Sequence, residues 1–410
     1  ALLTCEADLL WFGGIGTYIR ASTERDEEVG DRSNDALRVV ATEIKARVVG
    51  EGANLGVTQR GRIEFAARGG RINTDFIDNS AGVNTSDQEV NIKIALVPAE
   101  RAGKLDQKAR LDLLTAMTDD VGTAALRNNY QQSLALSLAE CGSVRELSDY
   151  ALLMQALEAR GLFTRALEAL PADAELQERA RSGRGLTRPE LAVLLSYAKI
   201  AVQHELLKSK LPDERELEPW LTSYFPDALR ARFPDGIKSH SLRREIIALG
   251  ITNALVNRGG PAMAVRLGSE TRRPVADIAH AFVVVRAVFD LPALWQRIDA
   301  LDGKVPGEAQ LRLYEATREL VNAQTLWFLR ERGGKVGLAA AIQTHKAGLA
   351  ALSASLETIL PPRRKADLAQ RAGRLAEGGV PGEIAAEVAR LDVLGEAPAI
   401  TEIAAAAGKP

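Results

Sequence analysis

Cysteine is nearly absent from this 410-residue chain, which has Cys5 and Cys141 alone. They give neither a metal-ligand spacing nor a disulfide framework, and they fit a reducing, cytoplasmic setting. Histidine is scarce too. His204, His240, His280 and His345 lie far apart, so each reads as a surface or structural side chain. No apolar run reaches the length of a membrane span and no signal peptide is visible, so no membrane partner is expected. There is no basic block and the formal net charge is −2, which argues against a nucleic-acid partner. No Ser–His–Asp set, Cys–His pair or metal cluster stands out. The first residue is Ala1, not Met, and a strand-like segment follows. A piece of something longer is expected.

The length exceeds what one core supports, so two or three domains are expected. Hydrophobic content of 46% and charged content of 26% are those of a globular protein. The texture changes near residue 95. Before it, short β-like runs alternate with glycine and asparagine loops. Leu9–Phe12 and Arg47–Val49 read as strands, and Arg71–Ile77 as a third. Asn34–Ala46 reads as a helix, with Leu37, Val40, Ala41 and Ile44 at helical spacing, and Gln59–Arg68 as a short one. Strand and helix in alternation predict a parallel sheet, of which three strands are only half of a doubly wound one. Its edge needs a cover from outside this sequence.

Residues 96 to 410 read as almost wholly helical. Thr187-Arg-Pro-Glu190 is a capping box with Pro near the helix start. Leu242–Arg258 is a helix stopped by Gly259-Gly260-Pro261. Ala281–Phe289 reads as helical among helical neighbours, although Val283–Val285 also suits a strand. Leu311–Arg330 is a long helix whose Trp327 and Phe328 suit core packing. Arg363–Lys365 is a short basic cluster suited to a solvated face. The last 40 residues are rich in Ala and Glu, and the extreme tail is expected to be loose.

Three stretches carry the chemistry. Leu9-Leu-Trp-Phe-Gly-Gly-Ile-Gly-Thr-Tyr18 drops from an apolar run into Gly13, Gly14 and Gly16. A dinucleotide-binding turn needs G-x-G-x-x-G, but the third place here is Ile19, and no acidic residue ends a strand about 20 residues on. A buried strand ending in a glycine loop is the better reading. In Val48–Thr58, Gly50 and Gly52 permit close approach of backbone to a ligand, and Asn54 offers a donor and an acceptor. A tight left-handed turn held by Asn54 is the alternative. In Asp75–Glu89, a strand ends in small polar residues and a helix opens at about Asn84. Such a helix start suits a carboxylate or phosphate, or plain capping by Asn84, Thr85 or Ser86. Two polar loops at neighbouring strand ends point to a binding crevice.

Trp11–Tyr18, Gly50-Glu-Gly-Ala-Asn-Leu-Gly-Val-Thr-Gln-Arg-Gly-Arg62 and Asp78-Asn-Ser-Ala-Gly-Val-Asn84 resemble near-signature strings of the large bacterial NAD-specific glutamate dehydrogenases. Leu186-Thr-Arg-Pro-Glu-Leu191 and Val256-Asn-Arg-Gly-Gly-Pro261 are similar to that family's C-terminal region, so the resemblance covers essentially the whole chain. It implies an α/β part, 1–95, forming the second half of a Rossmann-like cofactor domain, then an all-α domain, 96–410. It places the phosphate fingerprint on an earlier strand, upstream, with Gly13 and Gly14 beside the bound dinucleotide. It implies that Asn54 and Asn79 contact NAD near the nicotinamide ribose. Val83 and Ser86 match its Val-x-x-Ser, whose serine holds the side-chain carboxylate of L-glutamate, the product being 2-oxoglutarate. The family's catalytic Lys and Asp belong to a region before Ala1; Lys93 and Asp87 do not match them. The chain alone is expected to be inactive and open at its sheet edge, and the parent a homo-oligomer. The alternatives are another amino-acid dehydrogenase, and a helical scaffold carrying a relic half-domain.

Overall fold

The structure, a computed structural model, describes residues 2–331 and 337–408. The extreme tail, Lys409 and Pro410, lies outside the described residues. The chain divides into two compact units, Ala1–Asn257 and Arg258–Pro410.

The first unit holds the only strands among the described residues. β1 (Leu9–Phe12), β4 (Val48–Glu51) and β5 (Arg71–Ile72) form a parallel sheet in the order β1-β4-β5. Leu9 pairs with Val48 and Phe12 with Glu51, so the two loops that follow leave from the same level. Crossovers link parallel strands, as the alternating pattern requires. One face of the sheet is closed by Phe12, Ile19, Ala41, Val49, Val57, Phe65 and Ile72. The other face of β1 carries Leu9 and Trp11, 53% and 58% exposed. β1 and β5 are the two edge strands of this sheet.

Two expectations are corrected here. Residues 34–46 are not a helix. They form a 3-10 turn (Arg32–Leu37), β3 (Val39–Val40), paired in parallel with β2 (Ile19–Arg20), and a second 3-10 turn (Ala41–Glu43). Arg38 explains the break. Its buried guanidinium donates to the carbonyls of Thr17 and Asp31 and pairs with Asp26 and Asp35, which pulls Val39 and Val40 out straight. Two β-branched valines suit that extended backbone. Nor does a strand run from Arg71 to Ile77. It stops at Ile72, and Asp75–Asp78 is a helical turn, here α2. Both aspartates are drawn inward by partners described below.

Helices follow as expected. α1 is Gln59–Ala67, capped by the Thr58 hydroxyl, which accepts from the Gly61 N–H at 3.0 Å. α3 is Ser80–Arg101, α4 Thr118–Cys141 and α5 Arg188–Lys208. The change of texture at residue 95 falls within α3. At the start of α5 the Glu190 carboxylate accepts from the N–H and hydroxyl of Thr187 at 2.6 and 2.7 Å, the reciprocal half of the capping box. Arg243–Gly259 is helical, and Gly260 follows at φ +105, where a side chain is strained.

In the second unit, Val275–Val288 is a helix, not a strand, and packs against the helices Gly307–Glu331 and Leu338–Ile359. Phe328 lies edge-on to His345 at 4.9 Å, with Trp327 beside both: core packing, as the sequence indicates. Arg363–Lys365 is exposed. No single helix among the described residues is long and apolar enough to cross a membrane.

Candidate functional site

Three loops leave the C-terminal ends of β1, β4 and β5, the end at which open α/β sheets bind ligands. The first two are stitched together. The Tyr18 N–H donates to the Gly56 carbonyl at 2.9 Å and the Ala53 N–H to the Phe12 carbonyl at 3.0 Å. Gly13 and Gly14 lie exposed, and a Cβ on either would meet no atom within 4 Å. Backbone there is open to an approaching ligand.

Gly50 and Gly52 serve a different purpose from the one expected. A Cβ on Gly50 would sit 2.6 Å from the Trp11 ring, and one on Gly52 2.5 Å from it. These glycines make room for the indole, not for a ligand. The left-handed residue of this loop is Leu55, at φ 59. Its N–H donates to Asp75 Oδ2 at 2.9 Å, which offsets a backbone cost of order 1–3 kcal/mol.

The turn leaves Asn54 exposed, and Asn79 Nδ2 donates to its Oδ1 at 2.5 Å. The two predicted cofactor asparagines therefore meet. Asn54 Nδ2 and Asn79 Oδ1 keep no hydrogen-bond partner among the described residues, one donor and one acceptor at the surface.

The helix after them starts at Ser80, not Asn84. Ser86 thus sits in its second turn, and Asn84, Thr85 and Ser86 do not cap it. The Thr85 hydroxyl instead donates back to the Ala81 carbonyl at 2.7 Å. Asn79, Val83 and Ser86 are spaced i, i+4 and i+7, so they share one helical stripe. Val83 is 75% exposed and Ser86 is exposed. The stripe begins at the Asn54–Asn79 contact and continues outward. The opposite face, with Gln88, Asn91, Ile92 and Ala95, is buried.

Beneath the loops lies a charged network that sequence reading missed. Glu51 is fully buried, and Arg62 grips it with a two-pronged fork, Nε at 2.7 Å and a terminal nitrogen at 2.8 Å. The Val57 N–H adds a third bond to the same carboxylate at 3.0 Å. Arg62 also pairs with Asp75 at 3.3 Å. Asp78 accepts from the Glu51 N–H at 3.0 Å and from Asn73 Nδ2 at 2.6 Å. Both ends of the loop 51–57, and Leu55 at its tip, are tied down.

Burial pushes the Glu51 carboxyl up from its ordinary value, against the pull of Arg62. Burial works against the Arg62 cation, yet Glu51 holds it above its ordinary value. These directions favour opposite states of the pair. Three N–H donors on one carboxylate decide for the ionised pair, because a protonated carboxyl has less to accept with. Burial also pushes Asp78 up.

The helical part reaches this network. Arg188, from the Leu-Thr-Arg-Pro-Glu-Leu string, donates to Asn73 Oδ1 at 2.5 Å, Ser137 Oγ at 3.0 Å and the Ser133 carbonyl at 2.9 Å, and pairs with Glu140 at 3.2 Å. Asn73 in turn holds Asp78. On α4, Asn129 Nδ2 donates to the Ile77 carbonyl at 2.7 Å. Gln88 and Asn91, on the buried face of α3, bond to Tyr224 at 3.1 Å each. The presence of Glu51, Arg62 and Arg188 in the signature strings was a signal available beforehand; their pairing had no local period to reveal it.

Residues 183–410, more than half the chain, match the family described as glutamate dehydrogenase, C-terminal, and residues 1–139 match the bacterial NAD-glutamate dehydrogenase catalytic domain. The chain is 45% identical over 389 residues to the NAD-specific glutamate dehydrogenase of Pseudomonas aeruginosa and 43% identical over 389 residues to that of Halomonas elongata. It is 39% identical over 388 residues to the enzyme of Mycobacterium tuberculosis. Each alignment covers 95% of this chain and 24% of the relative, so the chain spans about a quarter of the length of the curated relatives it matches. The chain belongs to the glutamate dehydrogenase family whose C-terminal model it matches over residues 183–410.

Proposed function

We propose that this chain is part of an NAD-dependent glutamate dehydrogenase, which converts L-glutamate to 2-oxoglutarate and ammonia. The observation that carries the reading is the Asn54–Asn79 pair, set at neighbouring strand ends beside the open backbone of Gly13 and Gly14. When bound, NAD accepts hydride from the glutamate Cα. Asn54 Nδ2 and Asn79 Oδ1 are the groups that fit its nicotinamide-ribose side, with one donor and one acceptor free. The Ser86 hydroxyl offers a hydrogen bond to the substrate's side-chain carboxylate, and Val83 packs beside it. Neither Lys93 nor Asp87 takes a catalytic role: Lys93 pairs with Glu89 at 3.9 Å, and Asp87 accepts from the Tyr224 hydroxyl at 2.9 Å.

Residues 1–95 are the second half of a Rossmann-like cofactor domain in this reading, and residues 96–410 are the helical domain. The helical role is structural, supported by the bonds from Arg188, Asn129 and Tyr224 to the site-bearing segments. Neither cysteine is in a disulfide among the described residues, which suits a cytoplasmic setting. A homo-oligomer is proposed from family membership alone.

The test is NADH formation by the full-length protein with L-glutamate, against L-leucine, L-phenylalanine and NADP as controls. Turnover with glutamate and NAD alone is the expected result. Turnover with an apolar amino acid instead would favour another amino-acid dehydrogenase. No turnover from folded protein would favour the scaffold.

A further inference from the structure

The opposite end of the sheet holds a second concavity, away from the crevice. It is a cleft of about 620 Å³ at the N-terminal ends of β4 and β5, floored by the buried Phe65 ring. Four cations line it, Lys45, Arg47, Arg68 and Arg71, against the single carboxylate Asp8. The whole chain is nearly neutral, at −2, so this is a local concentration of one sign.

Two turns build it. Lys45 and Arg47 flank Ala46 just before β4. Arg68 and Arg71 flank Gly69 and Gly70 between α1 and β5. That glycine pair is required. Gly69 has φ +91, and a Cβ on Gly70 would lie 2.3 Å from the Phe65 ring. The tight turn brings two arginines to one cleft.

The cations are largely unspent. The side chains of Lys45 and Arg71 have no hydrogen-bond or ion-pair partner among the described residues. Arg68 gives one N–H to the Thr42 carbonyl at 3.0 Å and keeps the rest. Arg47 pairs with Asp8 at 3.4 Å, but both are more than four-fifths exposed. Such a pair is worth about 0–1 kcal/mol and yields easily to a better anion.

We propose that this cleft binds a small polyanion carrying two or more phosphate or carboxylate groups. Arginine forks match both groups bidentately. Cations on two separate turns call for more than one anionic group. The volume lies within the range of small-molecule sites, roughly 300–1,000 Å³. A cleft lined by one sign also raises the local concentration of the opposite ion.

Isothermal titration of the full-length protein with inorganic pyrophosphate and with tricarballylate tests this directly. The expected result is saturable binding at low salt, weakened by added salt because the cations are exposed. Lys45→Glu and Arg71→Glu should each weaken it roughly tenfold or more, while Arg127→Glu, an exposed change elsewhere, leaves it alone. The tighter anion tells whether the ligand carries phosphate or carboxylate. Lys45 lies outside any helix or strand, so Lys45→Glu keeps the test valid even if Arg71→Glu unfolds the chain. Absence of saturable binding of either anion, or binding equal in wild type, Lys45→Glu and Arg127→Glu, would overturn the proposal.

Discussion

Asn54 and Ser86 stand exposed at the candidate crevice, while Glu51 and Arg62, in the same stretch of chain as Asn54, are sealed beneath it. The upper layer is neutral, small and open, and its groups keep free hydrogen-bonding capacity. The lower layer is charged, and nearly every one of its polar atoms is engaged. A ligand-facing group must be accessible, yet held within a fraction of an ångström. The lower layer supplies the holding, through bonds to the Glu51, Leu55 and Val57 backbone. Part of it comes from far along the sequence, in Arg188.

The comparison breaks most visibly if the lower layer is cut. Arg62→Ala leaves Glu51 and Asp75 buried without their cation, and should destabilise the fold by about 3–5 kcal/mol. Urea unfolding of the chain reads this, and a loss below 1 kcal/mol would mean that the pair is not sealed as described. Arg188→Ala removes charge-assisted bonds to Asn73 and the Ser133 carbonyl, at about 1.5–3 kcal/mol. Its sharper readout is kinetic: if helical residues position the crevice, kcat/KM of the full-length enzyme falls under conditions where the variant stays folded. Unchanged kinetics would reduce Arg188 to a packing residue.

In the upper layer, Ser86→Ala should leave the melting temperature nearly unchanged. It should lower kcat/KM for glutamate by about 1–3 kcal/mol if the substrate carboxylate loses its partner. An equal loss with both substrate and stability would erase the distinction between the layers.

The smallest effect lies outside both. Lys199 on α5 sits half-buried with its Nζ 3.4 Å from Gln132 Oε1 and no ion-pair partner among the described residues. Burial pushes its ammonium down from 10.5 to about 7. Between those values the unfolded chain holds a proton that the folded one has released, so stability rises with pH through that window and is lost as pH falls through 7. Lys199→Met should remove about 1 kcal/mol of the stability rise between pH 7 and 9, about half of the full linkage value because solvent screens the half-buried ammonium, measured by denaturant melts. A rise of equal size in the variant would assign it to other groups.

Much of the fold was legible because it is local. Apolar runs gave β1 and β4, and the Thr187 box and the Gly259-Gly260 stop gave helix ends. The segment 34–46 misled because Leu37, Val40, Ala41 and Ile44 keep helical spacing, while Arg38 is tied to Asp26 and to the Thr17 carbonyl far up the chain. At 71–77, Asp75 and Asp78 turn inward to Arg62 and the Glu51 N–H, which converts an apparent strand into a helical turn. The contact between Asn54 and Asn79 had no local signal, since the residues lie on different loops. The roles of Gly50 and Gly52 were misjudged, because nothing local tells a gap for an indole from a gap for a ligand.

The most direct test is the NAD dependence of the full-length enzyme carrying Asn54→Ala, Asn79→Ala and both. Each single change is expected to lower kcat/KM for NAD, and the double change to cost less than the sum, because the two amides touch. Unchanged kcat/KM for NAD in all three variants would contradict the assignment of this pair to the cofactor.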